Sequence, residues 1–109
     1  MTRRQRGRET ERIVAEWFQN NGWPWAVPNG SSAPGPDVQN LPGLDCEVKA
    51  RSGFSPTAAL RQLEARNKGA VPFAVMRPDG FGPARVGEWV VCMRLDRFTQ
   101  LLRDAGYGS

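Results

Sequence analysis

The sequence predicts an α/β fold in which one mixed β-sheet is flanked by helices. Apolar residues recur at helical spacing in three segments, and Gly- and Pro-rich turns separate these from five shorter segments with strand patterns. The predicted order is α-β-β-β-α-β-β-α, which suits a single sheet covered by helices. With 109 residues, 39% of them hydrophobic, the chain fits one domain with a modest core and is too short for two.

The first helix is predicted over residues 8–20, because its apolar residues fall on one face at helical spacing. Those residues are Ile13, Val14, Trp17 and Phe18. Gly22 follows and suits the left-handed conformation in which many helices end. Residues 23–27 then predict a short strand, which Pro24 restricts to an edge of the sheet.

The next two strands are predicted on either side of a turn at residues 40–43. The first covers residues 37–39 and follows a Pro- and Gly-rich loop over residues 28–36. Residues 44–51 alternate between apolar and charged side chains, which predicts a strand with one apolar and one charged face. The charged face consists of Asp45, Glu47, Lys49 and Arg51.

The second half of the chain predicts one helix followed by two strands. Ser55 is a candidate N-cap and Pro56 suits the first helical position, for a helix that runs to about residue 68. Apolar strands are predicted over residues 71–76 and 88–93.

Both chain ends are predicted to differ from the single domain between them, residues 9–104. Asp96 is the expected cap of a last helix that continues through Phe98, Leu101 and Leu102. Residues 105–109 are expected to form a flexible tail. Residues 1–8 are expected to form a basic arm, which holds Arg3, Arg4, Arg6 and Arg8.

The charge of the chain suits a nucleic-acid partner. Its net charge is +4, and 13 of its 15 basic residues are Arg. Arg makes bidentate contacts with phosphate that Lys cannot make, although a coding bias would explain the ratio equally well. The clustering of four Arg in the basic arm is harder to attribute to such a bias, so these residues are predicted to bind DNA.

The residues that are missing exclude several kinds of catalysis. The chain has no His, which removes Ser-His-Asp and Cys-His triads and most zinc sites. Cys46 and Cys92 are far apart in apolar runs, so buried free thiols are expected. The sequence shows neither a membrane-spanning apolar run nor a signal peptide, so an intracellular, cytoplasmic protein is expected.

One group of residues predicts a catalytic site. It consists of Pro36-Asp37, followed after nine residues by Glu47-Val48-Lys49. A hairpin between the two strands would bring the carboxylates of Asp37 and Glu47 together, and Mg²⁺ prefers such oxygen ligands. Lys49 shares the strand face of Glu47 and could polarise an attacking water. The backbone carbonyl of Val48 is a further candidate ligand. An ordinary solvated sheet face would show the same residue types, but not this combination.

These residues resemble the PD-(D/E)xK nuclease superfamily, and more narrowly the archaeal-type Holliday junction resolvases. The resemblance covers most of the chain: the start of the first helix, Gly22-Trp23, the loop at residues 29–32, Pro36-Asp37 and residues 46–51. It implies a restriction-endonuclease-like core and a homodimer that depends on Mg²⁺, with Mn²⁺ as a substitute, and nicks a four-way DNA junction.

The resemblance also implies a metal-site Glu in the first helix and a loop Ser that assists cleavage. Glu9, Glu11 and Glu16 are the candidates for the first role, and Glu11 is preferred because it borders the apolar stripe. Ser31 and Ser32 remain alternatives for the second, in a loop longer than the family pattern. Two further auxiliary residues are expected, Gln62 on the second helix and Arg51 as a DNA contact.

The expected function is therefore metal-dependent hydrolysis of branched DNA. Two alternatives stay open: another nuclease of the superfamily, of repair, end-processing or restriction type, and a catalytically silent DNA-binding module. The small size argues against a restriction enzyme, because base readout needs further elements in a groove. Candidates for the dimer interface are Trp23, Trp25, Phe73 and Phe81.

Overall fold

A computed structural model describes residues 2–30, 34–50, 53 and 55–109 of the chain. It confirms the predicted class, because one mixed five-stranded sheet is flanked by helices. The strands are β1 (Val27–Pro28), β2 (Val38–Gln39), β3 (Leu44–Lys49), β4 (Val71–Met76) and β5 (Val90–Cys92). The helices are α1 (Arg3–Gln19), α2 (Pro56–Arg66) and α3 (Leu95–Asp104). A short 3₁₀ helix, Pro83–Glu88, lies between β4 and β5 and is absent from the predicted order.

Helix α1 begins at Arg3, five residues earlier than predicted. Thr2 and Gln5 form a capping box: the Thr2 hydroxyl accepts from the Gln5 N–H at 3.1 Å, and the Gln5 side chain accepts from the Thr2 N–H at 2.8 Å. This pair satisfies N–H groups that a helix start otherwise leaves free. The four Arg of the predicted basic arm, Arg3, Arg4, Arg6 and Arg8, therefore lie in the first two turns of α1.

Two further boundaries differ from the prediction. The strand expected over residues 23–27 lies at Val27–Pro28, because the Ala26 N–H donates to the Trp23 carbonyl at 3.0 Å and closes a turn there. Helix α3 begins at Leu95, so Asp96 lies inside its first turn and not at the cap, where Arg94 stands. The prediction of Ser55 as the N-cap of α2 is confirmed by its hydroxyl, which accepts from the Ala58 N–H at 3.3 Å.

The sheet has the order β1-β2-β3-β4-β5. The first three strands are antiparallel neighbours, β4 is parallel to β3, and β5 is antiparallel to β4. A parallel neighbour requires a crossover, and α2 provides it. Because Leu44 pairs with Val71 and Lys49 with Met76, the two central strands are matched along their whole length.

The core is divided between the two faces of the sheet. The α1 side packs residues from α1, β2, β3, β4 and the connecting segments: Ile13, Val14, Ala15, Ala26, Val38, Leu41, Cys46, Val48, Phe73, Val75 and Trp89. The smaller α2 side contains Ala59, Leu60, Leu63 and Ala74. Phe73 is thus a core residue and not an interface residue, whereas Trp17, expected at the core from its position on the apolar stripe, is 41% exposed.

The two cysteines are free thiols, as predicted. Cys46 is buried, and burial raises the pKa of its thiol far above the ordinary value. Cys92 is half-buried, with its sulfur 3.3 Å from the Met76 sulfur. Within the described ranges, no helix combines the length and the hydropathy needed to cross a bilayer.

A buried arginine connects α1 to the segment that follows β4. The Arg77 guanidinium donates to the Thr10 hydroxyl at 3.0 Å and to the Phe81 carbonyl at 2.9 Å, and it lies 5.1 Å from the centre of the Trp89 ring. Thr10 is completely buried and Arg77 is 6% exposed. Because a buried donor left without a partner costs free energy, these contacts fix the position of α1 relative to the sheet. Glu11, the next residue after Thr10, is positioned by the same contacts.

Candidate active site

The site is built at the point where β2 separates from β3. The Gly43 carbonyl accepts from the Val71 N–H at 2.9 Å, and the Lys49 carbonyl accepts from the Arg77 N–H at 3.0 Å. The odd-numbered residues of β3 therefore direct their backbone groups towards β4. The Cys46 carbonyl instead accepts from the Asp37 N–H at 2.9 Å, on the β2 side. Because backbone direction alternates along a strand, Val48 also faces β2.

Asp37 occupies this fork. Its Oδ2 accepts from the Val48 N–H at 2.8 Å, a bond that a backbone carbonyl would make if the two strands continued side by side. The Val48 carbonyl points to the same side as its N–H, and Pro36, the residue before Asp37, has no N–H to donate to it. The Asp37 carboxylate therefore lies against the backbone of Val48, whose carbonyl is the further ligand predicted from the sequence.

Glu47 projects from the charged face of β3, which is covered and not solvated. The residue is only 6% exposed. The pKa of Glu47 is raised to about 7, mainly by burial and then by the hydrogen bond and negative charge of Asp37. The positive charges of Lys49 and Arg66 act in the opposite direction and lower the pKa. The structure therefore brings Asp37 and Glu47 together from two strands.

Glu11 approaches the same place from α1. It is half-buried, and burial first and then the negative charge of Asp37 raise its pKa to about 7. Glu16, by contrast, is exposed and paired with Arg12 at 2.9 Å. Glu11 was predicted from its border position in α1, and in the structure it lies where the charge of the Asp37 carboxylate acts on it.

Lys49 lies at the end of β3 beside two side chains. Its Nζ is 3.8 Å from Glu47 Oε1 and donates to Gln62 Oε1 at 3.1 Å. The Lys49 side chain is 13% exposed, so the ammonium is partly shielded while remaining reachable. Gln62, predicted as an auxiliary residue, therefore contacts Lys49 and restricts its orientation.

Arg66 is a site residue that the sequence analysis missed. Its two terminal nitrogens lie 3.0 Å from Glu47 Oε2 and 3.1 Å from Asp45 Oδ1. Asp45 and Glu47 share one strand face, and Gln62 and Arg66 are one turn apart on α2, so facing rows of residues could have indicated the pair. Glu47 Oε2 is buried and makes no aligned hydrogen bond, since Arg66 reaches it as an ion pair only.

The donor set fits a hard divalent cation. Asp37, Glu47 and the Val48 carbonyl supply oxygen, and Glu11 flanks them, whereas the chain has no His to supply an imidazole nitrogen. Glu47 Oε2, a buried carboxylate oxygen without an aligned donor, is the kind of atom that such a cation would satisfy. In the described part of the chain, no three acidic or Cys side chains are grouped closely enough to form a ready-made metal cage.

Some of the residues predicted to contact DNA lie near this site. Arg3, Arg4 and Arg8 are exposed on the first turns of α1, while Arg6 Nε donates to the Ala50 carbonyl at 2.9 Å, directly after β3. This bond holds the basic end of α1 beside the end of β3. The remaining predictions, for Ser31, Ser32 and Arg51, fall outside the described residues.

Comparison with protein-family models, with curated proteins and with solved structures found no match for this chain. Function is therefore inferred from the chemistry of the site itself.

The raised pKa values predict that the metal-free protein loses stability as the pH rises from about 5 to 7.5. Between the ordinary value of 4.5 and about 7, folded Glu11 and Glu47 keep protons that the unfolded chain releases, so the free energy of unfolding falls with pH. Urea denaturation in EDTA at several pH values measures this slope. Glu47→Gln should flatten it and Glu16→Gln, an exposed control, should not. A stability that rises across this window would contradict the prediction.

Proposed function

We propose that this chain is a metal-dependent nuclease of the PD-(D/E)xK type with a restriction-endonuclease-like core. The observation that carries the proposal is the convergence of Asp37, Glu47 and Lys49 at the fork between β2 and β3, with Glu11 beside them. Such a group of carboxylates with one ammonium suits phosphodiester hydrolysis, which needs charge stabilisation and a positioned water.

Each residue has a distinct part in this proposal. Asp37, Glu47 and the Val48 carbonyl would hold Mg²⁺ or Mn²⁺, with Glu11 at the border. When bound, the ion supplies Lewis-acid stabilisation of charge on the phosphate. Lys49, oriented by Gln62 at 3.1 Å, can hold the attacking water through its ammonium. Arg66 balances the negative charge of Asp45 and Glu47 from the α2 side.

Burial of these charges favours an enzyme over a silent binding module. Asp45 and Glu47 are 5% and 6% exposed, and charges so placed cost stability unless they are paired. Burial raises the pKa of Glu11 and of Glu47 to about 7, so the charged form of each is held at a cost in the folded protein. A module that only binds DNA gains nothing from this arrangement, whereas a metal site needs it.

Branched DNA, such as a four-way junction, is the proposed substrate. The exposed Arg residues of α1 lie next to the site and suit phosphate contacts, which carry no sequence information. Contacts of this kind favour recognition of the shape of the DNA over its base sequence. Resolution of a junction needs two symmetric cuts, which a homodimer inside the cell would make. Repair, end-processing and restriction nucleases are the alternatives.

Cleavage of a panel of DNA structures tests the proposal. We expect purified protein with Mg²⁺ to cut a four-way junction in preference to a flap, a linear duplex and a single strand. Excess EDTA should stop cleavage, because it removes the divalent cation that the proposed oxygen ligands would hold. Preferential cutting of a linear duplex would favour the general nuclease alternative, and cleavage that persists in EDTA would contradict the metal site.

The basic turns of α1 are predicted to bind phosphate. Replacing Arg3, Arg4 and Arg8 by Gln should weaken binding to all DNA sequences and flatten its salt dependence, since each duplex phosphate contact contributes a log–log slope of about −0.9. Arg6 is left in place because it bonds to Ala50. Titrations at several salt concentrations measure the slope, with Arg103→Gln on α3 as a control. An unchanged slope would show that these Arg residues do not contact DNA.

A further inference from the structure

The C-terminal part of the chain carries most of the exposed apolar surface. Of the ten large apolar side chains exposed among the described residues, seven lie between Val90 and Tyr107. Their exposed fractions range from 36% at Leu102 to 77% at Leu95. A concentration of exposed apolar side chains in one part of a globular protein indicates an interaction surface.

Helix α3 is amphipathic, yet none of its residues is buried. Its apolar residues follow the helical repeat and form one face, made of Leu95, Phe98, Leu101 and Leu102. An open groove of about 560 Å³ separates this helix from α2, and Leu60, Val91, Leu95 and Phe98 are among the residues that line it. A helix of ten residues is marginal on its own in water, so this α3 face requires cover.

The charges around the α3 face favour a protein as its binding partner over DNA or a membrane surface. Within α3, two Asp balance two Arg, and Arg94, just before it, is neutralised by Glu64 through contacts of 2.9 and 3.0 Å. The clustered, exposed Arg residues lie on the first turns of α1 instead. A neutral face does not attract the phosphates of DNA, and binding to an anionic membrane surface requires basic residues on the polar side of the helix.

The adjacent edge strand suits a second copy of the same chain. β5 is the last strand of the sheet, paired with β4 on one side, so its other edge presents backbone donors and acceptors. Antiparallel pairing of β5 with another β5, and packing of the α3 face on another α3 face, both obey two-fold symmetry. One axis can therefore satisfy both elements.

We infer that β5 and the α3 face form the interface of a two-fold homodimer. The apolar face of α3, together with Val91, which lines the same groove, supplies five side chains, each at least 36% exposed, for the core of an interface to which each partner would contribute roughly 800 Å². The inference identifies the surface that would pair two copies of the proposed nuclease. The interface is inferred from the exposure and charge of the α3 face and not from cleavage. The interface and the proposed nuclease activity can therefore be refuted separately. Trp25, 78% exposed at a distant turn, is the competing interface residue predicted from sequence.

Sedimentation velocity of the full chain tests the inference. We expect the wild-type protein to sediment as a dimer, at twice the 12.1 kDa mass of the chain. The double variant Phe98→Glu/Leu102→Glu should sediment as a monomer, because two carboxylates would meet across the axis in an apolar contact. Trp25→Glu should remain a dimer. Circular dichroism of each variant shows whether α3 and the sheet are still formed.

Two results would overturn the inference: a monomeric wild-type protein at the highest soluble concentration, or a double variant that stays dimeric. Dissociation by Trp25→Glu alone would move the interface to the other end of the sheet and would also overturn it. Should the double variant fail to fold, Leu95→Arg replaces it, because Leu95 is 77% exposed and tolerates a polar side chain in the monomer. A dimeric Leu95→Arg variant would then count against the interface.

Discussion

Asp37→Asn and Glu47→Gln are each expected to reduce junction cleavage by about 10³-fold or more. Each substitution removes a charged ligand from the fork between β2 and β3, and loss of several kcal/mol of metal-ion stabilisation amounts to at least three decades in rate. DNA binding should persist or even strengthen, because a negative charge near the phosphate is removed. Single-turnover cleavage and equilibrium binding separate the two effects.

The matched control for these variants is Glu16→Gln, which makes the same kind of change at an exposed ion pair with Arg12. It should cleave at the wild-type rate. Lys49→Ala should lower the cleavage rate while Mg²⁺ still raises the melting temperature, since Lys49 is not a ligand. Wild-type cleavage by Asp37→Asn or Glu47→Gln would show that the site has been wrongly assigned.

Leu63→Ala is expected to destabilise the protein by about 2–5 kcal/mol, the range for a buried Leu replaced by Ala. Leu63 is completely buried in the small core that holds α2 against the sheet. That core has few members, so little can collapse into the space left by the side chain. Because α2 also carries Gln62 and Arg66, cleavage should decline together with stability.

Urea denaturation measures the loss, with Arg61→Ala as the control on the same helix. Arg61 is exposed, and its replacement should change the free energy of unfolding by less than about 0.5 kcal/mol. A loss below about 1 kcal/mol for Leu63→Ala would mean that α2 is not packed through this residue.

Periodicity in the sequence was sufficient to predict the central elements. The strand over residues 71–76 is predicted with the bounds that it has, because its apolar run lies between clear turns. The edge strand β1 was harder to predict from the sequence. It has only two residues and ends at Pro28, so its alternating pattern is too short to detect. The capping box of Thr2 and Gln5 was present in the sequence but hidden in a charged segment interpreted as an arm.

The site was predictable only where its residues share a motif. Asp37, Glu47 and Lys49 are close in sequence and recur in a known family pattern, whereas Arg66 is 21 residues from its partner Asp45. That pairing depends on how α2 crosses over β3, which no local pattern specifies. The interface prediction failed at Phe73 for the same reason, because only the sheet register shows that Phe73 pairs with Cys46 in the core.

The two edges of the sheet are chemically unequal. β1 ends at Pro28, which has no N–H to offer a further strand, while β5 has no proline. A sheet that accepts neighbours at both edges can add copies without limit and grow into a fibril. A sheet that accepts a neighbour at one edge is complete after the first addition. In the proposed dimer, Pro28 would therefore make association through the sheet self-limiting, and the exposed edge of β5 would lead to a closed pair instead of aggregation.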